Sequence, residues 1–89
     1  MKKYLIVYRP RGSKQSKYEI SESRDAMKHI KRLNAQTVWV YDRNGWWLSF
    51  ADLDKNGIPY RPQMFPDGEP KEYYARKFLE LQDWYLQCG

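Results

Sequence analysis

The 89-residue sequence is nearly bare of the residues on which covalent and metal chemistry is usually built, with one cysteine, Cys88, and one histidine, His29. A single thiol cannot close a disulfide within the chain, so the fold must rest on its core, and a reducing, cytoplasmic setting is expected. A nucleophile and its base must come within hydrogen-bond reach, and a thiol beside the last residue is poorly placed for that. The five glycines are isolated. This excludes a glycine-rich phosphate loop; Arg11-Gly12-Ser13-Lys14 is too short for one, and neither H-E-x-x-H nor G-x-S-x-G occurs. No apolar run approaches the roughly 20 residues of a membrane helix. The apolar stretch 4–8 runs at once into Arg9-Pro10-Arg11 and is too short for a signal-peptide core. The expectation is one small domain that is not an enzyme, needs no cofactor and does not contact a membrane.

Rings and positive charge are plentiful. Hydrophobic residues make up 42% of the chain, and eight Tyr, four Trp and three Phe set it apart from disordered sequences. The net charge is +5, which argues against an acidic mimic of nucleic acid. Residues 1–34 hold ten Lys or Arg against three acids, a net +7, while residues 35–89 hold six against eight, a net −2. The basic excess therefore belongs to the first third of the chain.

Residues 3–9 (KYLIVYR) are β-branched and aromatic, apolar on both faces, and end at Pro10, which reads as an interior strand. The basic, turn-rich stretch 10–16 and the alternating Lys17-Tyr18-Glu19-Ile20 make it the first arm of a hairpin with a cationic tip. A helix is expected over 23–34, with Ser21 or Ser23 as N-cap, Asn34 as its stop, and a narrow stripe of Ala26, Met27, Ile30 and Leu33.

Residues 36–42 (QTVWVYD) and 46–51 (WWLSFA) flank Asn44-Gly45, the strongest short hairpin signal. A type I′ turn would oppose Tyr41 to Leu48 and Trp39 to Phe50. Trp39, Tyr41, Trp46, Leu48 and Phe50 would then share one heavy face with Tyr4, Ile6 and Tyr8, either covered by a final helix as core or exposed beside the basic residues, where the rings could stack bases. Leu5, Val7, Val38, Val40 and Trp47 would form the other face, to meet the thinner first helix or remain partly exposed; left uncovered, it would call for a partner or a homodimer. Residues 52–70 contain four of the five prolines and are expected to carry no regular element. A helix over 69–87 follows, with Tyr74, Phe78, Leu81 and Tyr85 on one stripe and Ala75, Leu79, Gln82 and Leu86 beside it. The fold class is α+β: a small two-layer domain with a mostly antiparallel sheet in β-β-α-β-β-α order.

Two constellations and one loop are candidate sites. Arg9, Arg11, Lys14 and Lys17 around the hairpin, with Lys28, Lys31 and Arg32 on the first helix, suit nucleic acid, a nucleoprotein complex or another acidic partner. Tyr60, Arg61, Met64 and Phe65 in the proline-rich stretch are the alternative. They would bind a protein partner, as in an interaction module or an inhibitor of the kind phages direct at host defences. Asp52-Leu53-Asp54-Lys55-Asn56-Gly57 matches the opening of a calcium loop. The match fails at Pro59 and at Gln63, where a bidentate glutamate is needed, so Asp52, Asp54 and Asn56 read as a polar turn before a metal site.

Overall fold

The computed structural model describes the backbone of residues 3–60 and 71–88 and the side chains of 3–59 and 71–82. Seven elements follow in order: β1 (Tyr4–Pro10), β2 (Lys17–Ser21), α1 (Ala26–Arg32), β3 (Ala35–Tyr41), β4 (Trp47–Leu53), β5 (Pro59–Tyr60) and α2 (Glu72–Cys88). The strands form one antiparallel sheet in the order β2-β1-β3-β4-β5. The α+β class holds, and the expected order gains a strand. The two-residue β5 pairs with the end of β4, inside the stretch expected to be irregular. Pro59 is compatible with it because an edge strand does not need every backbone N–H.

The apolar run of β1 is explained by what lies on each side of it. Leu5, Ile6 and Val7 are all buried, and they point alternately to opposite faces. Ile6 joins Val38, Val40, Ala51 and Leu53 under Ala26 and Ile30 of α1. Leu5 and Val7 join Tyr41 under Phe78 of α2, flanked by Tyr74 and Leu81. The domain therefore has three layers, helix, sheet and helix, and the two-layer expectation is corrected. An interior strand beneath two helices has no solvated face, so it can carry no polar alternation.

Register also corrects the composition of the two faces. β1 pairs with β3 as Ile6↔Val40, Val7↔Trp39 and Tyr8↔Val38. Directly opposed residues share a face, so Tyr4, Ile6 and Tyr8 lie on the α1 side with the valines, and Leu5 and Val7 lie with Trp39 and Tyr41. In the β3–β4 hairpin Trp39↔Phe50 holds as expected and Val40 pairs with Ser49, but a bulge then pairs Tyr41 with Trp47 in place of Leu48. The cause is Asp42. Its carboxylate accepts from the backbone N–H of Asn44 at 2.8 Å and of Trp46 at 2.9 Å. The Gly45 N–H donates to the Asp42 carbonyl at 3.1 Å. Only Gly45 takes a left-handed conformation in this turn (φ 87°), so the type I′ turn, which needs Asn44 there too, does not form. The extra loop residue moves Trp47 onto the α2 side and leaves Trp46 exposed.

Helix α1 is shorter than expected because Asp25, not a serine, caps it, accepting from the N–H of Met27 at 3.0 Å and of Lys28 at 3.4 Å. Ser21 and Ser23 instead brace the approach, accepting from the N–H of Ser23 and Asp25 respectively. Leu33 is the C-cap, and Asn34 follows it in the left-handed region (φ 51°), the role of a stop. Ser49 of β4 accepts from the Ala26 N–H at 3.2 Å and fastens the start of α1 to the sheet.

Helix α2 packs across β1 and β2. Tyr74 stacks on Tyr41 with centroids 4.0 Å apart, and Lys77 places its ammonium 4.9 Å from the Tyr18 ring centre. Leu79, assigned from sequence to the second stripe, is more than half exposed. The Lys71 N–H donates to the Gly45 carbonyl at 2.8 Å, so the hairpin turn carries the start of α2.

Two predictions follow from this docking. A Cβ on Gly45 would run into the backbone of Lys71 as well as strain the left-handed φ, whereas one on Gly57 (φ 76°) would meet open space. Gly45→Ala should lower unfolding free energy by roughly 2–4 kcal/mol, and Gly57→Ala by about 1–2 kcal/mol, in urea titrations. Equal losses would refute the contact.

The second concerns Tyr18. The hydrogen bond to the Tyr73 hydroxyl at 3.3 Å, then burial, then the neighbouring phenols of Tyr73 and Tyr74, push the Tyr18 phenol up to about 12 from its ordinary 10.0. A value raised in the folded state gives stability that is complete below pH 10 and lost as pH rises from about 10 towards about 12. Titration of ring-labelled tyrosine by NMR should show this displacement, and Tyr73→Phe should bring Tyr18 back towards its ordinary value.

Candidate nucleic-acid interface

The β1–β2 hairpin ends in a turn closed by the Ser13 N–H on the Pro10 carbonyl at 3.1 Å, and the Ser13 hydroxyl accepts from the Gln15 N–H at 3.1 Å. These local bonds hold the tip without side chains from elsewhere. Arg11, Lys14 and Lys17 are exposed around it, and among the described residues none has a carboxylate within ion-pair distance. Because Pro10 pairs with Ala35, the end of α1 and the hairpin tip lie at the same end of the sheet.

The described aspartates are otherwise engaged. Asp25 caps α1, Asp42 and Asp54 close their own turns, and Asp52 accepts from the Thr37 hydroxyl at 2.8 Å and the Leu53 N–H at 2.9 Å. The carboxylates are thus held close to the backbone, while the cations extend into solvent on long stems.

Arg9 differs from its neighbours. It is half-buried on the α2 side of the sheet, with its guanidinium carbon 5.5 Å from the centre of the Trp39 ring. Trp39 meets Phe50 edge to face at 5.8 Å, and Phe50 meets Trp47 at 6.0 Å. A cation and three rings therefore run from the hairpin across β3 to β4, the kind of surface on which a base or a sugar can stack. Sequence reasoning named Arg9 and the rings separately. Their contact needs the β1–β3 register, for which no local signal exists.

Lys28 and Lys31 are exposed on α1, on the opposite side of the sheet from Arg9. Arg32 stands apart from the other predicted cations. Its guanidinium pairs with Glu19 of β2 and donates to His29 Nδ1 at 2.8 Å. His29, 1% exposed, uses its other ring nitrogen, Nε2, to reach the Ser23 carbonyl at 2.7 Å. This chain fastens α1 to β2 and to the loop before the helix, so Arg32 and His29 act as structural groups.

Of the alternative set, Arg61, Met64 and Phe65 lie outside the described residues, and of Tyr60 the structure describes the backbone alone, in β5. In the 52–57 segment the Asp54 carboxylate accepts from the N–H of Asn56 at 2.8 Å and of Ile58 at 2.9 Å. Asp52 faces Thr37 across the sheet. Among the described residues no three His, Cys, Asp or Glu side chains converge, and no helix is long and apolar enough to cross a membrane. In comparisons with known proteins the chain matches no family model, no curated protein and no solved structure.

The geometry at Asp54 makes the loop self-sufficient. Asp54→Ala should cost about 1 kcal/mol of stability by removing a two-bond cap, while excess calcium or EGTA should leave the wild-type melting temperature unchanged. A calcium-dependent rise in melting temperature would overturn this assignment.

Proposed function

We propose that this is a non-enzymatic binding protein that engages nucleic acid or a nucleoprotein complex through its basic hairpin end. The observation that carries the reading is the group of exposed cations Arg11, Lys14 and Lys17 at the tip, without a carboxylate partner among the described residues, together with the Arg9–Trp39 stack. Exposed ammonium and guanidinium groups can each displace a counterion from a phosphate backbone, which is the main source of affinity in such complexes. The stacked arginine and rings add contacts that tolerate any base. Lys31, at the same end of the sheet, and Lys28 extend the positive field onto the α1 side.

Fluorescence anisotropy with single- and double-stranded DNA and RNA at about 50 mM salt tests this directly. Binding is expected, and the Arg11→Ala, Lys14→Ala, Lys17→Ala triple variant should flatten the slope of log K against log salt by about 2–3. Arg32→Ala should instead lower stability. The absence of binding to every probe, or a triple variant with an unchanged slope, would refute the proposal.

A further inference from the structure

The end of the sheet opposite the hairpin tip holds a cleft of about 620 Å³ lined by Lys3, Tyr4, Arg24, Asp42, Arg43, Asn44, Phe78 and Gln82. Four separate parts of the fold build it: the start of β1, the loop before α1, the β3–β4 turn and the middle of α2. Lys3, Arg24 and Arg43 are exposed, and none is ion-paired among the described residues. The one carboxylate in this lining, Asp42, already accepts two backbone N–H groups of its own turn.

We infer that this cleft binds a nucleoside phosphate, with Lys3, Arg24 and Arg43 on the phosphate and the half-buried ring of Tyr4 beside the base. Three cations from three segments around one hollow give multidentate capture of a phosphoryl group, for which the planar fork of arginine is well shaped. A simple anion would need no more than that. The cleft also has the ring of Tyr4 and two amide side chains, Asn44 and Gln82, that can hydrogen-bond the edge of a heterocycle. Its volume lies within the roughly 300–1,000 Å³ of small-molecule sites. The site is separate from the hairpin interface and does not depend on the reading given to that interface.

The test is titration of ¹⁵N-labelled protein with AMP and with UMP, followed by amide shifts, with adenosine and inorganic phosphate as separate arms. Saturable shifts centred on residues 3, 24 and 42–44 are expected for at least one nucleotide. Arg24→Ala and Arg43→Ala should each weaken its binding at least about tenfold, the loss expected for a charge-assisted hydrogen bond. Lys55→Ala, in the exposed turn before β5, should leave the affinity unchanged. Both arginines are exposed, so a well-dispersed spectrum of each variant will confirm that it remains folded. The inference is overturned if neither nucleotide saturates by about 5 mM, well above weak-site affinities, or if the shifts centre on residues 11–17. It is equally overturned if adenosine or phosphate alone binds as tightly as the nucleotide, or if the arginine variants bind like wild type. Oligonucleotide binding that is lost in the hairpin triple variant while AMP binding persists would separate the two sites.

Discussion

The pairing of β1 with β3 is the constraint on which the rest of the structure depends. It sets Ile6 beside Val40 and Val7 beside Trp39, and so decides which side chains meet α1 and which meet α2. A slip of one residue would turn Leu5 and Val7 towards α1 and Ile6 towards α2, exchanging the two cores. Burial on both faces opposes such a slip, because each of these three side chains is worth roughly 1.5–3 kcal/mol when removed from water. The same register carries Arg9 to Trp39. The packing requirement and the candidate interface therefore share one cause.

Aspartate has a second organising role. Asp25, Asp42 and Asp54 each accept from two backbone N–H groups at a helix start or a turn, and in doing so they set the length of α1, the bulge in the β3–β4 hairpin and the polar loop before β5. Short acidic side chains are suited to this because they reach their own backbone two to four residues on. The functional consequence is a separation of charge. These aspartates sit against the main chain, and most of the described basic side chains of residues 1–34 project from it, so a modest net charge becomes two cationic regions at opposite ends of the sheet.

Much of the fold was legible because it is encoded locally. The β1 run, the helical spacing of Ala26, Met27, Ile30 and Leu33, the Asn-Gly hairpin and the Tyr74-Phe78-Leu81 stripe each announce an element, and each element is present. Three local readings changed. Asp25 displaced the serines as cap, the Asp42 carboxylate displaced the type I′ turn, and β5 formed at a proline. In each case a competing hydrogen-bond acceptor or a free sheet edge, equally available in the sequence, proved the better partner. At the candidate interface the exposure of Arg11, Lys14 and Lys17 was legible, since a basic, turn-rich stretch between two strands offers no apolar surface to bury. Arg32 could not be told apart from them until Glu19 and His29 were seen beside it.

The sequence by itself determined the class of the fold, the location of its positive charge and the absence of a catalytic motif, because these depend on composition and on spacings within a turn or two of chain. Only the tertiary structure decided which face each ring occupies, that Arg9 stacks on Trp39, and that Lys3, Arg24 and Arg43 surround one cleft. The physical reason is distance along the chain. Lys3 and Arg43 are forty residues apart, and nothing local relates them until the antiparallel pairing of Leu5 with Tyr41 brings the start of β1 beside the end of β3.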